Sequence, residues 1–523
     1  MSHQAAAGNE HSASARDWIT VSAGLIGAFM AVLNIQITNA SLLNIEGGIG
    51  TGVDNGAWIS TSYLIGEIIV IPLCDYLSRV FSFRIFLLVN SVLFIAFSAS
   101  CAFAQNLGQM IVLRGIQGFT GGVLIPMAFT LILTKLPKAQ QPIGMAMFAV
   151  TATFAPAIGP TIGGYLTENF GWQYIFFINL VPGAIMVLVL SMTLERTPMR
   201  LDLLKQGDWL GIISMAIGLG ALQTVLEEGN KDDWFGSTFI IKLALVALVF
   251  LTIFIVTELS VANPAVNLRL LARRNFGLGT LANALFGFGL FGSVFLLPQY
   301  LGQAQGYNAQ QIGSVMAWTG LPQLIVIPFV PKLMKIFDTR LLVSFGLGLF
   351  GISCMMNMTM SPDTAGDQFF VPNVVRAVGQ AFAMAPLTGI AMLGIAKEES
   401  AAASGLFNML RNLGGAVGVA MLGTIFTRRE QFHSNINGIS INVFRQEVRD
   451  RIEQTTQYFM AHGVSDFDAA RQKAIVALGR AVQKQSVIMG YSDTFVVLGA
   501  TLFAAAFLVM LAKKGQSTGA VAH

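Results

Sequence analysis

Charge is what this sequence has little of. Only 11% of its 523 residues are Asp, Glu, Lys or Arg, against about 25% in soluble domains. A soluble chain of this length would split into roughly three or four domains, each needing a polar surface. Too few charges exist to cover such surfaces, which excludes a soluble enzyme, a nucleic-acid binder and a disordered scaffold. The net charge of +4 is too small for a nucleic-acid patch. Cysteine is scarce too. Cys74, Cys101 and Cys354 all fall in apolar runs, so neither a disulfide framework nor a zinc motif can be built from them. The five histidines (His3, His11, His433, His462 and His523) lie in the tails or one polar loop, which argues against haem or a histidine metal site within the membrane. The absence of G-x-x-x-x-G-K-[ST] excludes a phosphate-cradling loop, and with it ATP hydrolysis of that type. No cofactor is expected.

What the chain has is apolar length. A spanning helix takes about 20 mostly apolar residues, and fourteen such runs lie between residues 18 and 512. Lysine and arginine set their direction. One alternating set of segments carries seventeen basic residues, from Arg16, Arg79 and Arg84 to Lys513 and Lys514; the opposite short loops carry only Lys231. Both termini are therefore expected in the cytoplasm, with the protein as a multi-pass membrane chain. The predicted organisation is a tail at 1–17, a six-helix bundle at 18–194, and a linker with two extra spans at 195–260. Five helices of a second bundle follow at 261–426, then a periplasmic helical hairpin at 427–489 broken at Gly463, a last span at 490–512 and a tail at 513–523.

The two sets of six resemble each other internally. Val112-Leu113-Arg114-Gly115-Ile116-Gln117-Gly118 in the fourth span matches Val374-Val375-Arg376-Ala377-Val378-Gly379-Gln380 in the second set. Gly159-Pro160-Thr161-Ile162-Gly163-Gly164 in the fifth span matches Gly414-Gly415-Ala416-Val417-Gly418. Repeated halves of this kind mark transporters that bind at the midplane and rock around it. The expected fold is all-α, with two pseudo-symmetric six-helix bundles around a central cavity and the pair near 208–258 packed outside.

With these residues in view, the chain resembles the drug exporters of the major facilitator superfamily. Leu113 to Gly118 is similar to their fourth-span motif, and Ala155 to Gly164 to their fifth-span antiporter motif, here Pro156, Gly159, Pro160, Gly163 and Gly164. Fourteen spans, Asp233-Trp234-Phe235, and Asn263-Pro264 through Arg274-Asn275-Phe276 resemble the EmrB branch of the drug:proton antiporters. That resemblance implies a small amphipathic substrate, contact with membrane lipid, and a periplasmic adaptor of the EmrA type with an outer-membrane channel. On residues alone, the 427–489 segment reads equally as an amphipathic hairpin resting on the transporter or the lipid.

The first span departs from the family. Leu33-Asn34-Ile35-Gln36-Ile37-Thr38-Asn39-Ala40 has asparagine where relatives have aspartate, and an amide cannot carry a proton. Glu67, in the second span, is the one acid placed deep in an apolar run. At about 1.5 Å per residue, Asn34, Glu67 and Arg114 lie about 12, 16 and 10 Å below the exterior ends of their helices. Glu67 and Arg114 are therefore expected to carry proton coupling, with Arg114 pointing into the cavity. A guanidinium in an apolar span costs at least ~2.5–3.5 kcal/mol and needs a cavity or a partner. Asn34, Gln36, Asn39, Gln117, Gln380, Asn408 and Arg411 are the candidate cavity residues, Arg411 sitting beside Asn408 and Asn412.

Three classes of function compete. A secondary exporter of amphipathic organic compounds agrees with all of these features. A facilitator, or an exporter of one metabolite such as a siderophore, fatty acid or lipid, gains from the loss of the first-span aspartate. An intramembrane enzyme would need a motif such as H-E-x-x-H or paired aspartates, which the spans lack.

Overall fold

A backbone surrounded by lipid can satisfy its polar groups only within itself, so long apolar runs become helices. The computed structural model describes residues 13–51, 53–261, 264–442 and 444–514, and among these residues there is no strand. The ends of both predicted tails and Asn263 lie outside the described residues. The first half comprises α1 (Ala15–Ala40), α2 (Trp58–Val70), α3 (Cys74–Phe81), α4 (Phe83–Cys101), α5 (Leu107–Lys135), α6 (Gln141–Phe170) and α7 (Leu180–Thr193). The inserted pair is α8 (Trp209–Glu228) and α9 (Thr238–Ser260). The second half has α10 (Arg274–Gln305), α11 (Ala309–Ala317), α12 (Leu321–Val326), α13 (Val330–Ile336), α14 (Thr339–Met355), α15 (Phe370–Ala391), α16 (Ser400–Ser440), α17 (Gln446–Ala461) and α18 (Phe467–Met510).

Twelve of the described helical stretches are long and apolar enough to cross a membrane by themselves. The other two expected spans differ for local reasons. Pro72 removes a donor and turns the second span through a 3-10 turn, Ile71–Leu73, between α2 and α3. The helix α14 is only 17 residues long. Helix starts follow side-chain chemistry: Ser14 and Asp17 form a capping box on α1, and Asn106 accepts from the Gln109 amide at 3.0 Å to open α5.

Within the first half, α1 packs on α5, α6 and α7, and α5 packs on α2 and α4. In the second half, α10 packs on α15, α16 and α18, and α14 on α15 and α18. Helices approach this closely because glycine faces backbone. A Cβ on Gly118 would stand 2.0 Å from the Tyr63 carbonyl oxygen, and one on Gly414 would stand 2.1 Å from that of Ala284. Lipid provides no hydrophobic drive between helices, so such contacts carry the association. Gly118→Ala should therefore force α2 off α5, at a cost of ~1–3 kcal/mol or more. The expected readout is loss of monodisperse protein on size exclusion in detergent. Gly47→Ala, whose Cβ meets nothing within 4 Å, should leave the yield unchanged.

The inserted pair is not wholly peripheral. The outer helix, α9, packs chiefly on α8, but α8 touches α2 of one half and α16 of the other. Thr61 donates to Glu228 at 3.0 Å, and Trp234 Nε1 donates to Thr424 at 2.9 Å, so this corner spans the seam. The apolar run alone could not reveal that, because its polar anchors, Glu228 and Trp234, lie at and beyond its last turn. The expected hairpin also changes form. Helix α16 runs unbroken for 41 residues and α18 for 44. At about 1.5 Å per residue each exceeds a ~30 Å hydrocarbon core by roughly 30 Å. Both therefore project beyond the bilayer as continuous rods, with α17 packed on α18. Arg429 and His433 on α16 meet Asp493 on α18 at 2.6 and 2.7 Å. Gly463, in the left-handed region at φ 97°, lies in the turn between α17 and α18, while α16 continues through the expected segment boundary at 427.

Candidate functional site: a cavity between two helical halves

Helices α1, α2 and α6 of the first half, α10 and α16 of the second, and the end of α8 surround a cavity of about 940 Å³. It opens toward the end of the molecule that carries Asn44, Ala57, Glu168 and Asn308. At the opposite end the halves are in contact: α16 meets α3, α5 and the 71–73 turn, and α6 meets α13 and α15. A Cβ on Gly405 would lie 3.1 Å from the Ile71 oxygen there.

Glu67 lines the cavity and is 2% exposed. It is delivered there by α2, held on α5 through Gly66, Gly118 and Gly122. Its Oε1 accepts from Asn412 Nδ2 on α16 at 2.8 Å, a hydrogen bond that joins the two halves. Its Oε2 is buried and has no hydrogen-bond partner. Arg411 is the neighbour of Asn412 on α16. Neither Arg411 nor Arg114 forms an ion pair with Glu67 among the described residues. Arg411 is buried, with Nε and Nη1 unpartnered, and it stands behind the cavity wall and not in it.

Arg114 is a correction to the expected geometry. It does not line the cavity; it is 0% exposed within the first half. Its Nη1 donates to Asn34 Oδ1 at 2.5 Å and to Gln117 Oε1 at 2.8 Å, and its Nε to the Ile59 carbonyl at 3.2 Å. The guanidinium lies 4.3 Å over the Tyr63 ring, and Tyr63 donates in turn to the Ala31 carbonyl at 3.1 Å. The charge is thus met by neutral acceptors and a π-face, and Nη2 is left without a partner. The requirement of cavity or partner is met by partners. Asn34 stands where a carboxylate would give the arginine an ion pair.

The remaining candidates divide between wall and interior. Gln36, Asn39, Pro160 and Gly164 line the cavity, with Asn39 accepting from Ser60 at 2.5 Å. Asn34 and Gln117 belong to the arginine cluster and do not face the cavity. Gln380 also lies away from it: its Oε1 accepts from Gln323 at 2.8 Å, and Gln323 accepts from Thr153 of the other half. Asn408 is buried and donates to the Ser404 carbonyl at 2.9 Å. Gly159 and Gly163 serve contact with α1, where their Cβ atoms would meet Gln36 Cβ at 2.4 Å and the Ile37 oxygen at 2.9 Å. Pro156 is buried in the same helix.

Sequence reasoning missed Asn412 as Glu67's partner and missed Glu227 and Glu168 on the wall. Two further acids are buried at the ends of their helices: Glu228 is 1% and Glu258 0% exposed. The available signal was the adjacent pair Glu227-Glu228, placed before Gly229 at the end of an otherwise apolar helix.

The comparisons agree with this architecture. The chain is 32% identical to the multidrug export protein EmrB of Escherichia coli, over 93% of this chain and 92% of that one. It is 31% identical to the fatty acid resistance protein FarB of Neisseria gonorrhoeae, over 97% and 98%. The crystal structure of the human organic anion transporter MFSD10 superposes with a TM-score of 0.57 at 12% identity, covering 93% of this chain and 99% of that one, a likeness of fold. The family model of the Major Facilitator Superfamily matches residues 24–419. With two packed helical halves, a cavity between them and these matches along most of its length, the chain belongs to the major facilitator superfamily.

Proposed function

We propose that this protein is a secondary active exporter of amphipathic organic compounds, driven by a proton gradient through alternating access, with Glu67 as the proton carrier. The observation that carries the reading is the position of Glu67. It lines the cavity, keeps one carboxylate oxygen unpartnered, and is bonded through the other to Asn412 of the opposite half. A group that changes charge at the seam can alter how the halves attract each other. With the cavity open to the exterior, a proton taken up at Glu67 cancels its attraction to Arg411 and favours substrate release. After the halves rock, loss of that proton to the cytoplasm restores the charge and readies the cavity for the next substrate. Arg114 holds α1, α2 and α5 in register, which makes it a positioning residue for Glu67. Gln36, Asn39, Pro160 and Gly164 supply wall contacts.

The bias of basic residues toward one set of loops supports cytoplasmic termini, in a bacterial inner membrane. The projecting ends of α16 and α18, with α17, offer a surface outside the bilayer for a periplasmic adaptor of the EmrA type, leading to an outer-membrane channel. A second reading, an exporter or facilitator of one metabolite without proton coupling, draws on Asn34 and on the relative named for fatty acid resistance.

Everted vesicles with an acidified lumen, offered amphipaths and metabolites, separate the two. Coupled export gives uphill accumulation that disappears when the pH gradient is collapsed. Equilibration without accumulation would replace the first reading with the second.

A further inference from the structure

The cavity wall has one sign of charge. Its lining includes Glu67, Glu168 and Glu227, and among the described lining residues no Lys, Arg or His. Their arrangement is graded by depth. Glu168, on the last turn of α6, is exposed at the mouth; Glu227, on the last turn of α8, is half-buried; Glu67 is 2% exposed. The neighbour Glu228 is occupied, accepting from Thr61 at 3.0 Å and facing Lys231 at 3.6 Å. Glu227 forms no ion pair among the described residues and accepts from Gln223 at 3.0 Å. Glu67 adds a buried, unpartnered Oε2 on the cavity wall. Phe291, Phe295 and Tyr307 also line the cavity.

We propose that the inserted helix α8 contributes Glu227 to the substrate site, and that the site selects amphipathic organic cations. This rests on the exporter reading and names its substrate class. Low-dielectric walls focus a single-sign field onto whatever enters, and rings offer negative faces to an onium group. A cavity of about 940 Å³ holds a drug-sized molecule. A fatty acid carboxylate would meet three carboxylates on the wall and no base. The role of α8 also gives the extra pair a function: without its last turn, the cavity wall would lose its half-buried acid.

Tetraphenylphosphonium and tetraphenylborate, alike in shape and opposite in charge, test this. Each is titrated at pH 8 into the full chain in lipid nanodiscs, with empty nanodiscs subtracted. The cation should bind at least ~10-fold more tightly than the anion. Glu227→Gln should remove most of that preference, and Glu227→Asp should keep it. Glu168→Gln, at an exposed position, supplies a second variant should Glu227→Gln fold poorly, and it should lower cation affinity by a smaller factor. Equal binding of the two ions would overturn the proposal, as would a preference unaffected by both glutamine variants. Uptake of a neutral amphipath in everted vesicles keeps the two claims apart. Gradient-driven uptake of the neutral compound without cation preference defeats the selectivity alone. Selective cation binding with no gradient-driven uptake of any compound defeats the exporter reading and leaves the selectivity standing.

Discussion

Glu67→Gln vesicles are expected to lose pH-driven uphill export altogether while the purified variant still binds substrate. The amide preserves the size of the side chain, and its carbonyl can still accept from Asn412 Nδ2, now at 2.8 Å. What disappears is a group on the wall that can gain and lose a proton while touching both halves, the only such group among the described residues there. Glu67→Asp should retain part of the activity, since it keeps the charge but falls short of Asn412 by one methylene. Asn34→Asp should not rescue Glu67→Gln, because residue 34 is sealed behind the α1–α5 contact, bonded to Arg114 and absent from the cavity wall. Substrate accumulation in vesicles, normalised to protein, checks all three variants.

Arg114→Ala carries the second large effect, and the cause differs. Removing the guanidinium strips Asn34 Oδ1, Gln117 Oε1 and the Ile59 carbonyl of their shared donor. Asn34 Oδ1 is left without that partner at a cost of about 1–3 kcal/mol, Gln117 Oε1 keeps only Cys101 Sγ, the Ile59 carbonyl keeps Ser62 Oγ, and the Tyr63 ring loses its cation. Export should fall below detection, with a clear drop in thermal stability of the detergent-solubilised protein. Arg114→Lys should not restore it, because an ammonium cannot reach three acceptors set in a fork. Asn34→Asp should instead raise the melting temperature, since an ionised acceptor at this site makes the bond to Arg114 charge-assisted. A normally stable, fully active Arg114→Ala protein would show that the cluster has no part in holding α2 in place.

The fold was legible in the sequence because lipid simplifies the rules. Apolar run length gave the helices, basic loops gave the alternation, and the Arg114/Arg376 and Gly159/Gly414 repeats gave the two halves. The extent of single elements was harder to read. The break at Pro72 and the unbroken passage of α16 through residue 427 depend on backbone bonding that a hydropathy window averages away. The site was legible only one residue at a time. Glu67 stood out because an acid in an apolar run needs an explanation, and Arg114 for the same reason. Their partners did not stand out. Asn412 lies 345 positions from Glu67, and the contact exists only once the halves are assembled. The depth argument placed Arg114 near Asn34, yet it could not say whether the arginine turns toward the cavity or away from it. The structure turns it away, because Tyr63 and Asn34 offer it a π-face and an oxygen inside the bundle. Glu227 was hidden by position: at the end of a span it reads as interfacial, and only the packing of α8 across the seam brings it to the wall.

The central claim is that one carboxylate at the seam exchanges its proton for substrate, and linkage makes that exchange directly measurable in solution. Purified protein in weakly buffered detergent is given a saturating pulse of a transported substrate while a pH indicator is followed. The account predicts release on the order of one proton per substrate bound, since binding and protonation are reciprocal. It predicts none from Glu67→Gln at equal substrate occupancy. Undiminished proton release from the Glu67→Gln protein would contradict it.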